Sequence, residues 1–208
     1  MNKNKLSLFV KIGIFNLTIV AMIGTLMRYK IGFDFPYLDQ KYLLHGHSHF
    51  AFAGWVTHIL FTLLVAFLNQ QNIYNKRYDK LIWANLLCAY GMLISFIIQG
   101  YGGISIGFSS ASIIVNFIFA FQYFDSLRSM PDSHPSKNWF KAALIFNVLS
   151  SIGTFYLAYM MATNNINQHA YLGSVYFYLH FQYSGWFFFS IIGLLLSKLK
   201  DFYSFSYN

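Results

Sequence analysis

The sequence contains no glutamate, only one cysteine and only three prolines, and charged residues make up 10% of its 208 positions. Soluble domains usually carry about a quarter charged residues, so the composition argues against a water-soluble enzyme. Cys88 lies alone in an apolar run, which leaves no disulfide framework and no CxxC metal site. A hydrophobic content of 57% excludes a disordered chain. These absences favour a membrane protein.

Basic residues outnumber acidic ones by 14 to 6, which gives a formal net charge of +8. A positive balance can indicate a nucleic-acid partner, but here long apolar runs separate the basic residues instead of gathering them into a patch. We therefore expect the lipid bilayer, and not nucleic acid, as the main partner.

Six apolar stretches are long enough for helices that cross the ~30 Å hydrocarbon core of a bilayer. Although Lys3 and Lys5 precede the first stretch as in a signal peptide, its length and the lack of a small-x-small cleavage site favour a retained helix. The sequence thus predicts an all-α polytopic transmembrane helical bundle, forming one domain over residues 1–208. The predicted spans are 6–27, 47–68, 81–100, 105–127, 140–162 and 172–196.

The distribution of basic residues predicts the orientation of these spans. With a cytoplasmic N-terminus, only three of the 14 basic residues fall outside, Arg28, Lys30 and Lys41, and the other 11 fall inside. This asymmetry follows the positive-inside rule. We therefore expect a multi-pass protein of the cell's inner (cytoplasmic) membrane, with both termini cytoplasmic.

Histidine is the main ionisable residue of the predicted spans, since Lys11 lies near the cytoplasmic end of the first span, where its side chain can reach the interface. All six aspartates fall in loops or at span ends, which argues against a carboxylate proton relay. Four of the seven histidines lie within LLHGHSHFAFAGWVTHILF, at the start of the second span, and one lies in YFYLHFQYSGWFFF of the sixth span. These five are His45, His47, His49, His58 and His180. The other two, His134 and His169, are interpreted as surface residues.

Helical geometry divides the second-span cluster between two faces. At about 100° per residue, His45 and His49 lie about 40° apart and share one face, whereas His47 and His58 lie about 20° apart and share a roughly opposite face. His49 and His180 both fall in the outer half of the membrane. A pair formed by His49 and His180 is therefore allowed, with His47 or His58 as substitutes if the second span is rotated.

Neutral imidazole ligates haem iron and copper without bringing a charge into the membrane. The small residues Ala51, Ala53 and Gly54 leave room beside the cluster for a macrocycle or for a close helix neighbour. Alternatively, the histidines form hydrogen bonds between helices and the small residues tighten packing, or HGHSH forms a peripheral zinc or copper site or a proton sensor.

We predict haem and/or copper as cofactor and assign no catalytic residue. The predicted cofactor-binding residues are His45, His49 and His180, and the predicted metal ligands are His47, His49, His58 and His180.

The motifs LLHGHSHFAFAGW and LHFQYSGW resemble the second and sixth helices of subunit I of the haem–copper oxidases. They are also similar to small bacterial oxidase-subunit-I-like membrane proteins and to the haem- and copper-containing NnrS-type family. The resemblance implies that one of His45, His47 or His49 takes the role of the low-spin haem ligand and that His180 takes the role of the copper ligand. The His-Gly dipeptide favours His45 for the haem role, whereas depth favours His49.

The chain also departs from that family. Oxidase subunit I has twelve spans, and its later helices supply further ligands that have no counterpart among six spans. The sixth-helix acid and the cross-linked tyrosine have no match after His180, where Phe181-Gln182-Tyr183-Ser184 follow. The chain is then a divergent half-length relative, a truncated reading frame, or one part of an oligomer in which a second copy or a second membrane subunit completes the site. We expect a role in respiratory electron transfer or metal handling. The alternative is a small-solute transporter or channel, or a non-catalytic membrane assembly partner.

Overall fold

The computed structural model describes residues 1–163, 165 and 167–206, with side chains for all of these except 162 and 200–206. The described residues form helices joined by short connections, and no strand occurs among them. The α-helices are α1 (Lys3–Gly32), α2 (Gln40–Phe50), α3 (His58–Gln70), α4 (Arg77–Gln99), α5 (Gly103–Arg128), α6 (Lys137–Ala162), α7 (Gln168–His180) and α8 (Phe188–Ser206).

Two π-helical segments interrupt the long helices without breaking them. Residues Ala51–Thr57 join α2 to α3, and residues Phe181–Phe187 join α7 to α8. Six continuous helical rods result, each long and apolar enough to cross a membrane, which confirms the predicted all-α fold with six candidate spans. The rods are Lys3–Gly32, Gln40–Gln70, Arg77–Gln99, Gly103–Arg128, Lys137–Met161 and Gln168–Leu199.

The second rod begins seven residues before the predicted apolar stretch, because a polar side chain caps it. The Asp39 carboxylate accepts a hydrogen bond from the Tyr42 backbone N–H at 2.9 Å, which satisfies one of the free donors at the start of the helix. The charged first turn is thereby part of the helix. Consequently, His45 and His47 lie on a regular helix before the π-helical segment.

The chain divides into two compact units, Met1–Val115 and Asn116–Asn208, with the boundary inside α5. In the first unit a hydrophobic core joins α1, the second rod and α4. The core contains Val20, Phe50, Ala53, Ala89, Met92, Leu93 and Phe96.

The second unit contains the end of α5, α6 and the last rod. Tyr123 of α5 packs edge-on against Phe140 of α6, with ring centroids 6.0 Å apart, and Phe140 also lies against Gly193 of α8. The single transmembrane domain expected from the sequence stays a prediction.

Candidate functional site

His45 and His49 lie on the face of α2 that packs near the end of α4. The His49 ring stacks on Phe96, with centroids 4.4 Å apart and an interplanar angle of 15°. The His45 ring meets Tyr101 edge-on at 4.6 Å, and the His49 Nε2 atom lies 3.4 Å from the Tyr101 hydroxyl. The two histidines therefore share one aromatic-walled face, as their spacing predicts.

His47 and His58 lie against α1 instead. A Cβ added at Gly24 of α1 would lie 3.3 Å from His47 Cε1, so the two helices are close at this point. The fully buried His58 places Nε2 2.8 Å from the Phe9 carbonyl oxygen, to which it donates. The hydrogen bond ties α3 to α1 and leaves only Nδ1 of His58 for a ligand. The predicted division of the cluster between two faces is thus confirmed.

Two ring nitrogens of the HGHSH segment lie buried without a hydrogen-bond partner in the described part of the chain, His45 Nε2 and His47 Nδ1. A buried polar atom without a partner costs free energy, and native structures satisfy almost all of them. A bound metal ion, a haem iron or a water molecule would satisfy either nitrogen. Together with His58 Nδ1, which is also buried without a partner among the described residues, these atoms are the ring nitrogens of the second rod that are placed to bind a ligand.

The small residues after the cluster accommodate protein neighbours. A Cβ at Gly54 would lie 2.6 Å from the Phe50 ring, so that ring fills the space beside Gly54. The carbonyls of the π-helical segment are also engaged, since Asn85 Nδ2 donates to Ala53 at 2.9 Å and Asn16 Nδ2 donates to Gly54. The sequence predicts that Ala53 and Gly54 leave room either for a macrocycle or for a neighbouring helix. These hydrogen bonds show that α1 and α4 are the neighbouring helices at this point.

His180 ends α7 in the second unit, and its side chain is exposed. Its ring lies edge-on to Phe181 at 5.4 Å. The next residue, Gln182, is buried and donates from Nε2 to Ser150 Oγ at 2.7 Å and to Asn147 Oδ1 at 3.2 Å. The start of this π-helical segment is thus bound to α6 through amide and hydroxyl groups, while the imidazole of His180 remains accessible.

The two remaining histidines differ from each other. His169 is exposed, as expected. His134 was expected at the surface but is only 6% exposed, and its Nδ1 accepts a hydrogen bond from the Ser136 backbone N–H at 3.3 Å. The His134 ring is therefore buried in the turn that leads into α6. The prolines on either side of His134 indicate a turn but do not predict this burial.

The pattern of apolar stretches does not reveal a short internal repeat in this chain. Residues 49–55 read HFAFAGW and residues 180–186 read HFQYSGW, so both contain His-Phe, then an aromatic, a small residue, Gly and Trp at equal spacing. In each copy the Gly and the Trp lie in a π-helical segment. Such segments occur frequently at functional sites. The sequence at first suggests no internal repeat, but this one is visible when the two histidine motifs are aligned.

Within the described residues, no three His, Cys, Asp or Glu side chains come together as a group that could hold a metal ion. The first unit offers a pair on one helix face, His45 and His49, which are four residues apart. The predicted pairing of His49 with His180 joins residues of different units and stays a prediction.

Comparison of the chain with family models, curated proteins and solved structures finds no match, so the likeness to oxidase subunit I also stays a prediction.

Proposed function

We propose that this chain is a multi-pass inner-membrane protein that binds haem or copper through the outer-side histidines of its second span, and that it acts in respiratory electron transfer or metal handling. The observation that carries the proposal is the buried His45 Nε2 atom, which has no hydrogen-bond partner in the described part of the chain and lies on the same helix face as His49.

The surroundings of this pair suit a neutral nitrogen ligand. Phe96 and Tyr101 form an aromatic wall, and the stack on Phe96 holds the orientation of the His49 ring. Two histidines four residues apart on a helix can ligate one metal ion. When bound, haem or copper would accept and release single electrons. The residues of the chain contribute ligand nitrogens, ring orientation and exclusion of water.

A pair of imidazoles leaves coordination positions that another group must fill. The repeated motif gives His180 the place that His49 has in the second span, which supports a ligand role for His180 in the second unit as well. A second copy of the chain or a second membrane subunit supplies any ligands that remain.

Purification from cells supplied with haem and copper tests the proposal. We expect either a Soret absorption band or stoichiometric copper by elemental analysis, which separates the two ligands. The double variant His45→Ala/His49→Ala should lose that signal. His169→Ala, which replaces an exposed histidine outside the motif, should keep it.

Circular dichroism and a monodisperse elution profile show whether each variant still folds. A wild-type preparation that is colourless and free of metal would overturn the proposal. A signal that survives in a folded double variant would assign the ligand to other residues and would equally overturn it.

A further inference from the structure

A groove of about 560 Å³ runs between α1 and α4 in the first unit. Its volume lies within the roughly 300–1,000 Å³ typical of small-molecule sites. Apolar and aromatic side chains form most of its wall, among them Phe15, Trp83, Leu87 and Tyr90. The charged residue in the wall is Lys11.

Lys11 has no ion pair or hydrogen bond with any described residue. Lys5 lies six residues earlier on α1, about 9 Å nearer the end of the helix, and pairs with Asp79 at 2.6 Å. An ammonium group within a membrane-spanning helix is costly and usually pairs with an anion or reaches the interface. The groove thus contains an exposed cation that no described residue neutralises.

The walls fit a long apolar chain that leads inward from this cation. Phe15 is 59% exposed and Leu87 is 69% exposed, so both present apolar surface beside the groove. Trp83 lies near the level of Lys11, because its ring packs against Phe9 with centroids 5.4 Å apart. Tryptophan is typical of the membrane–water interface. Tyr90 lines the groove about 10 Å further along α4.

We propose that this groove binds an anionic phospholipid from the leaflet at the N-terminal end of α1. Its phosphate pairs with Lys11 beside Trp83, and one acyl chain lies along Phe15 and Leu87 towards Tyr90. Basic pockets between transmembrane helices bind lipid headgroups in this manner. The groove wall includes none of the residues around His45 and His49, and lipid binding does not depend on haem or copper.

Native mass spectrometry of the full chain in detergent tests the site, with phosphatidylglycerol and phosphatidylcholine as the added lipids. Phosphatidylglycerol should bind in preference to phosphatidylcholine. Lys11→Gln should weaken phosphatidylglycerol binding about fivefold, as expected for the loss of one basic residue. The matched control Lys3→Gln removes the same charge from an exposed position of α1 outside the groove and should bind like wild type.

Leu87→Trp provides a second variant, because Leu87 is exposed and the larger side chain would fill the groove without disturbing the core. It should reduce the binding of both lipids, and an excess of inorganic phosphate should not displace phosphatidylglycerol. The proposal is overturned if both groove variants bind like wild type, or if phosphate alone displaces the lipid. It is also overturned if either variant instead dissociates a dimer, since the groove would then be an interface between copies.

Discussion

Asp79 links two helices through a single buried carboxylate. Its oxygens accept hydrogen bonds from Lys5 Nζ at 2.6 Å and from the Tyr74 hydroxyl at 2.8 Å, and the residue is only 7% exposed. Charge-assisted hydrogen bonds of this kind are the stronger ones in proteins. The start of α1 is thereby held against the start of α4, at the same end of the first unit.

The Tyr74 hydroxyl gives this link a pH limit. Burial, together with the hydrogen bond to Asp79 and its negative charge, raises the pKa of Tyr74 from 10.0 to about 12. The neutral phenol is therefore favoured in the folded state. Its contribution to stability is complete below the ordinary pKa and is lost as the pH rises through about 12.

We expect the unfolding midpoint of the wild type in detergent to fall more steeply between pH 10 and pH 12 than that of Tyr74→Phe, because the variant has no phenol to ionise. Tyrosinate absorbance should show one fewer late-titrating group in the variant. Tyr37→Phe is the control, since Tyr37 is 83% exposed. Parallel alkaline melting of the wild type and Tyr74→Phe would contradict this role.

The spacing of the histidines was sufficient to predict which of them share a face, because His45 to His49 is one helical turn. It was not sufficient to predict their partners. His58 binds the carbonyl of Phe9, which is 49 residues away, and His49 stacks on Phe96. Both partners depend on how α1 and α4 pack, which periodicity does not encode.

At the scale of the elements, hydropathy was sufficient to predict the six rods. The early start of the second rod depends on the cap at Asp39. Hydropathy does not predict this first turn, because the residues around Asp39 are polar or charged. The π-helical segments were not predictable from hydropathy. In the first segment, the carbonyls of Gly54 and Ala53 accept hydrogen bonds from Asn16 of α1 and Asn85 of α4, so this geometry depends on tertiary contacts.

The crossing of α6 and α7 depends on a glycine. A Cβ at Gly153 would lie 2.5 Å from the Ser174 carbonyl oxygen, a backbone atom that cannot rotate away. We expect Gly153→Ala to lower the free energy of unfolding by about 1–3 kcal/mol through overpacking. Unfolding in mixed detergent micelles measures this change.

Gly173 is the matched control for that substitution. It lies in α7, and a Cβ there would meet nothing within 4 Å. Gly173→Ala should therefore be neutral, or should stabilise α7 by up to about 1 kcal/mol through helix propensity. An equal loss of stability in both variants would show that close approach at Gly153 is not the cause.

At the scale of the whole molecule, the six rods suit a membrane, and charge asymmetry is the argument for their orientation. Arg28, Lys30 and Lys41 lie near the α1–α2 connection, and the predicted topology assigns the other 11 basic residues to the opposite side of the membrane. The positive-inside rule then predicts cytoplasmic termini.

Cysteine labelling tests this orientation, because the natural Cys88 is buried and gives little background. A membrane-impermeant maleimide should label Asp34→Cys in intact cells, since this position lies in the α1–α2 connection. Ser133→Cys, in the α5–α6 connection, should react only after the membrane is opened. Both positions are exposed. Labelling of Ser133→Cys in intact cells would contradict the predicted topology.

The hydrogen bonds that hold α1 also constrain the order of biogenesis. Asn16 bonds with Gly54 and Tyr90, and Lys5 pairs with Asp79, so each partner leaves the ribosome after α1. Only 22% of the most apolar window of α1 is buried, against 61% for the second rod, while its mean hydropathy is 2.1. The nascent α1 must therefore remain in the lipid by its own composition, with Asn16 unpaired until the second span is synthesised and Lys5 unpaired until the third.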